Sequence, residues 1–290
     1  MQDVHANIVA AARNAGRLPD RITLMAVSKT FDAAAVCEAV AGGQRVFGEN
    51  YLQEALEKMA EVARLLGKTA TAAAAATVHS IASGAASAQA DGSSLTPLVH
   101  IAAPATTETS LAGENTEPVN PAAAPVSVPG DSPTLSWHFI GPIQSNKTGP
   151  IAQAFDWVHS VERLKIAQRL SAQRPAGMAP LNVCLQVNIS GEASKSGATL
   201  QEAPTLAHAI AALPNLRLRG LMAIPEAAQD FEAQRVPFRQ LRLLFERLVE
   251  EGLMLDCLSM GMSADMDAAI AEGATMVRIG SAIFGRRDVV

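Results

Sequence analysis

A lysine at the end of an apolar run is the first residue in this chain able to do unusual chemistry. The run LMAVSK (24–29) places four apolar residues and a serine before Lys29. The pattern predicts a buried strand with Lys29 at its C-terminal end. Apolar neighbours disfavour the ammonium form and push a lysine pKa down. Such a lysine is a candidate Schiff-base former. A lysine that merely ends a strand and faces water gives the same pattern, so the residue alone does not decide between the two.

Two further stretches bear on the choice. SMGMS (259–263) sets Ser259 and Ser263 around Gly261, just before a helical pattern, and RIGS (278–281) sets Gly280 and Ser281 after Arg278. Glycines let backbone N–H groups approach an anion, and helix N-termini favour negative charge. Each stretch alone reads equally well as an ordinary strand-to-helix turn, and Arg278 as a salt-bridge partner. Together with a lysine on an earlier strand they suggest a phosphate clamp facing an amine. Pyridoxal 5′-phosphate (PLP) needs that arrangement. An aldolase of the lysine type would also need it, but aldolase barrels usually carry that lysine on a later strand.

The elements that must position these residues follow from periodicity. Val4, Ile8, Ala11, Ala12 and Ala15 recur at helical spacing until Gly16 and Pro19. Short apolar runs then alternate with helical patterns: 22–29, 45–50, 136–141, 157–161, 181–189, 216–224, 257–263 and 276–285 read as eight strands. Continuous apolar runs suit strands buried on both faces. Eight such strands with intervening helices predict an α/β chain forming a single (β/α)8 TIM barrel, residues 1–290. The alternative, a doubly wound open sheet, lacks a GxGxxG after the first strand. In a barrel the site lies at the C-terminal strand ends, with phosphate at the loops after strands seven and eight.

One segment stands apart. Residues 69–134 contain no Phe, Trp, Tyr, Lys or Arg and are dominated by Ala, Ser, Thr and Pro. Such a segment cannot bury enough apolar surface to offset the entropy of ordering it. It is expected to be a disordered insertion in the connection before the third strand. Taking it out leaves about 220 residues, within the roughly 200–250 typical of one barrel.

Bulk properties narrow the function. The 290-residue chain carries a net charge of −5, which argues against a nucleic-acid groove. Cys37, Cys184 and Cys257 are sparse and unspaced for metal, so reduced core thiols are expected. The N-terminus lacks a signal-peptide pattern and no apolar run is long enough to span a membrane, so a cytoplasmic protein is expected.

Seven motifs resemble one family. AVSKT (26–30), FGENY (47–51), WHFIGPIQSNK (137–147), NISGEASKSG (188–197), LRGLMAIP (218–225), LSMGMSADMDAAI (258–270) and VRIGSAIFG (277–285) look like the YggS/PROSC-type pyridoxal phosphate homeostasis proteins. The resemblance covers the chain except the insertion, which is not a general family feature. It implies a barrel like the N-terminal domain of alanine racemase (PLP fold-type III) without the C-terminal β-domain. It implies PLP on Lys29 as an internal aldimine, Asn50 near the ring, and Arg278 facing the pyridine nitrogen. Ser259, Gly261, Ser263, Gly280 and Ser281 would cradle the phosphate. The implied role is to store, carry or regulate the PLP pool and keep the amino-acid/keto-acid balance, with PLP-dependent apo-enzymes as partners and a monomeric state, and no metal, nucleic acid or membrane. The family often carries a second lysine two residues after the first, where this chain has Phe31.

The rival reading is a PLP-dependent amino-acid racemase. Two-base racemisation needs an acid/base on each face of the substrate. In racemases the second comes from the C-terminal β-domain, and only five residues follow Gly285 here. His138 and Lys147 are compatible with a core histidine and a surface lysine as well as with site roles, and stay outside the expected site.

Overall fold

The computed structural model describes residues 1–67, 134–191 and 196–285. The expected insertion at 69–134 lies outside these residues, apart from Thr134. Eight parallel strands close into a barrel in sequence order: β1 Thr23–Val27, β2 Val46–Glu49, β3 Ser136–Phe139, β4 Trp157–Val161, β5 Leu181–Gln186, β6 Leu216–Met222, β7 Cys257–Ser259 and β8 Met276–Ile279. The barrel closes through β1 and β8, where Met25 pairs with Arg278.

Helices alternate with the strands: α1 Gln2–Asn14, α2 Ala33–Ala41, α3 52–67, α4 Thr148–Ala154, α5 Leu164–Gln173, α6 Ala203–Ala211, α7 Phe231–Glu250, α8 Met266–Ala271 and α9 Ser281–Phe284. Two of these helices start on side-chain caps. Asp32 caps α2 by accepting from the Ala35 N–H at 2.9 Å, and Asp230 caps α7 in the same way. Among the described residues no helix is long and apolar enough to cross a membrane.

β4 matches its expected run, 157–161, and the other seven strands span shorter ranges than their runs suggest. β1 stops at Val27, because Ser28 to Phe31 form a turn closed by the Phe31 N–H on the Ser28 carbonyl at 3.1 Å. β8 stops at Ile279, and 281–284 coil into α9 instead of extending the strand.

Among the described residues there are two apolar cores. The larger packs the outer strand faces against the helices, with Phe47, Phe139, Phe155, Leu170, Ile210 and Phe238 fully enclosed. The smaller fills the barrel: Met25, Cys184, Met222, Cys257 and Met276, flanked by Val46, Ile140 and Trp157. Every strand or its immediate end contributes one of these residues. The Cys184 and Cys257 thiols lie 3.8 Å apart, and all three cysteines are free. Arg219 closes the layer below. It pairs with Asp256, donating from Nε at 2.7 Å, and lies 4.6 Å over the Trp157 ring.

Candidate functional site

A cavity of about 630 Å³ opens where the strands end, within the 300–1,000 Å³ usual for small-molecule sites. Lys29, Asn50, Ser263, Arg278, Gly280 and Ser281 line it, and Ile140, Met222, Ile224 and Met262 supply its apolar wall. Six of the eight residues expected from the sequence therefore share one surface.

Lys29 is half-buried and sits in the Ser28–Phe31 turn. The turn requires a positive φ at Thr30, +68°, which is costly for a β-branched residue. A buried charge cluster holds it in place. The Thr30 N–H donates to Glu54 Oε1 at 2.6 Å. Lys58 Nζ donates to Glu54 Oε1 at 2.9 Å, to Glu49 Oε1 at 2.7 Å and to the Ser28 carbonyl at 2.6 Å. The Ser28 hydroxyl donates to Glu49 at 2.7 Å. Glu49 is fully enclosed, and burial pushes its carboxyl pKa up against the pull of Lys58 and Ser28. None of these cluster residues was expected at the site. Glu54 and Lys58 are spaced i,i+4 and read in sequence as a solvent-facing helix pair.

Asn50 follows β2, and its side-chain oxygen Oδ1 is buried without a hydrogen-bond partner. Gly141 makes this placement possible, since a Cβ there would lie 2.0 Å from the Asn50 carbonyl oxygen. Gly280 brings the end of β8 against β1 in the same way, where a Cβ would meet the Val27 carbonyl at 3.2 Å. Ser263 and Ser281 are exposed at the rim.

Arg278 is 4% exposed. Its Nη1 donates to the Ser259 carbonyl at 2.6 Å and to the Ser259 hydroxyl at 3.0 Å, and Nη2 donates to the Ala223 carbonyl at 2.9 Å. Burial lowers its pKa to about 10, so it remains a cation at neutral pH.

Two expected cradle residues lie behind the wall instead. Ser259 is fully buried, with its hydroxyl committed to Arg278 and to His159. Gly261 has φ +92°, and a Cβ there would lie 2.5 Å from the Ala269 Cβ, so it serves the packing of its loop on α8. His138, left outside the expected site, is enclosed and hydrogen-bonded to His159 at 2.8 Å. Phe31, where the resembling family often has lysine, lines the cavity and stacks on Phe284 at 4.9 Å between centroids.

Comparison with known proteins agrees with this architecture. The family model for the alanine racemase N-terminal domain matches residues 2–288. The pyridoxal phosphate homeostasis protein of Pseudomonas aeruginosa is 50% identical, over 98% of this chain and 93% of that protein. A crystal structure of a protein of unknown function from Bifidobacterium adolescentis superposes with a TM-score of 0.72 at 30% identity, covering 97% of this chain and 92% of the other. PipY of Synechococcus elongatus PCC7942, solved with PLP bound, gives a TM-score of 0.65 at 28% identity, covering 97% of this chain and all of PipY. On sequence, fold and extent of match, this chain belongs to the alanine racemase N-terminal domain family, within its branch of pyridoxal phosphate homeostasis proteins.

Proposed function

We propose that the cavity binds PLP and that the protein holds and releases this cofactor for the intracellular pool rather than turning over a substrate. The observation that carries the reading is the half-buried Lys29 on the wall of a barrel-end cavity shared with a buried arginine cation. The residues present fit the group. Asn50 Oδ1 is a buried polar atom lacking a partner, and Ser263, Gly280 and Ser281 share the cavity wall. The PLP bound to PipY and the names of the curated relatives support the same assignment.

When bound, PLP supplies an aldehyde that condenses with a primary amine, and Lys29 is the amine assigned to it. The Glu49–Lys58–Glu54 cluster keeps the Lys29 turn in its strained conformation. Ser263, Gly280 and Ser281 are assigned to the phosphate, and Asn50 to the ring edge. Arg278 is assigned to the ring nitrogen. A fixed cation there opposes protonation of that nitrogen and weakens the ring as an electron sink, which suits storage over carbanion chemistry. Lys29 and Arg278 are the ionisable side chains among the described residues lining the cavity. Two-base racemisation needs a second proton-transfer group opposite the lysine. We assign PLP-dependent apo-enzymes as the recipients.

The test is an absorbance spectrum with added PLP, before and after borohydride reduction, followed by peptide mapping. The expected result is a visible band that reduction fixes on Lys29. Absence of the band with excess PLP would overturn the assignment. Steady formation of D-alanine from L-alanine by the loaded protein would overturn the carrier role.

A further inference from the structure

The barrel interior carries a row of polar groups that the proposed site does not use. His138 on β3 and His159 on β4 are enclosed, with His138 Nδ1 and His159 Nε2 2.8 Å apart. His159 Nδ1 lies 2.9 Å from the Ser259 hydroxyl on β7, and His138 Nε2 lies 2.9 Å from the Ser136 hydroxyl. Arg278 on β8 donates to Ser259 at the far end. The row thus crosses the barrel from the start of β3 to the cavity wall. Trp157 fixes both ring planes, stacking at 5.2 Å on His138 and 5.6 Å on His159.

Donor and acceptor counting gives the row a direction. Arg278 can only donate, so the Ser259 oxygen accepts from it. The Ser259 proton then goes to His159 Nδ1. A neutral imidazole that accepts at Nδ1 carries its proton on Nε2, which must donate to His138 Nδ1. The same rule puts the His138 proton on Nε2, donating to Ser136. The opposite direction would leave the buried Ser259 proton without an acceptor among the hydrogen bonds of the described residues. Neutrality is independently favoured, because burial lowers the His138 pKa to about 3 and that of His159 well below its ordinary value.

We propose that Arg278, Ser259, His159, His138 and Ser136 form a one-way hydrogen-bond relay, in which the two histidines are positioning residues that lock the Arg278 guanidinium at the cavity wall. The relay orients Ser259 as an acceptor for Arg278 by taking its proton on the other side. Its effect on ligand binding rests on the PLP assignment above, whereas its direction does not.

Two measurements test it. In the PLP-free protein, ¹⁵N-histidine NMR is expected to show His138 and His159 neutral with protons on Nε2, and Ser259→Ala is expected to move the His159 Nδ1 signal. A cationic ring, or a proton on Nδ1 of either residue, overturns the relay. For binding, His159→Phe removes acceptor and donor, while His159→Gln offers an amide with both. PLP affinity is expected to fall roughly tenfold in His159→Phe, the worth of one hydrogen bond to a charged group, with a shifted visible band. His159→Gln is expected to restore most of both. Unchanged affinity and band position in a folded His159→Phe protein overturn the positioning role. If that variant does not fold, Ser259→Ala carries the same binding expectation and the same overturning result. If the wild-type protein takes up no PLP, the proposed function falls, and the relay stands or falls on the NMR alone.

Discussion

The ammonium of Lys58 lies 2.6 Å from the carbonyl oxygen of Ser28, the residue just before Lys29. A buried lysine on α3 thus anchors the backbone that carries the candidate amine. It also neutralises Glu49, which has no exposed surface.

Lys58→Met is therefore expected to be strongly destabilising. Removing one partner of a buried ion pair leaves the other uncompensated, at a cost of about 3–5 kcal/mol. Glu49→Gln combined with Lys58→Met should recover much of that loss. Urea unfolding of the three proteins is the measurement, and a single-variant loss below about 1 kcal/mol would contradict the role given to this pair.

Stability should fall on mild acidification because of the buried histidines. An unfolded histidine takes up a proton near pH 6.5, while folded His138 resists until about 3 and His159 until well below its ordinary value. Both folded values are depressed, so the unfolded chain binds more protons below pH 6.5 and gains ground as pH drops. The loss is roughly 1.4 kcal/mol per histidine between pH 7.5 and 5.5. Glu49 and Asp156, raised by burial, work in the opposite direction. A His138→Gln/His159→Gln double variant should show a flatter pH profile in denaturant unfolding. An equal slope would remove the histidines as the cause.

Gly261→Ala should cost about 1–3 kcal/mol, through a clash with Ala269 and a positive φ. If Gly261 serves loop packing, PLP uptake by the folded fraction should stay close to wild type. A large loss of uptake at unchanged melting temperature would return Gly261 to the phosphate cradle.

Phe31→Ala removes a ring that lines the cavity and stacks on Phe284. Such a stack contributes about 0.5–1.5 kcal/mol beyond area burial. Release of PLP, followed by transfer to excess apo-enzyme, should quicken two- to tenfold, roughly that energy expressed as a rate. Release at the wild-type rate would show that the stack does not restrain the cofactor.

Much of this was legible in the chain itself. The strands were readable because short apolar stretches such as LMAV (24–27) and VCL (183–185) recur between helical patterns, as burial on two faces demands. Lys29, Ser263, Arg278, Gly280 and Ser281 were readable as a group because barrels gather their strand ends at one mouth, whereas Asn50 was expected there from the family resemblance alone. The chain also gave the ends of β1 and β8 poorly, since an apolar run does not reveal where pairing stops and a turn or helix begins.

Tertiary structure alone decided what stands behind the cavity. Lys58 meets Ser28 from 30 residues away, and His159 meets Ser259 from 100. Periodicity reports which face of an element is apolar, not which distant group its polar atoms reach. Glu54 and Lys58 keep the spacing of an exposed helix pair while holding the half-buried Lys29 turn. Ser259 carries the residue type of a phosphate ligand, yet the inward pleat of β7 commits it to Arg278. The sequence determined the barrel and the residues at its mouth through local pattern. Barrel closure, by bringing β3 and β4 opposite β7 and β8, decided which of their polar groups would meet.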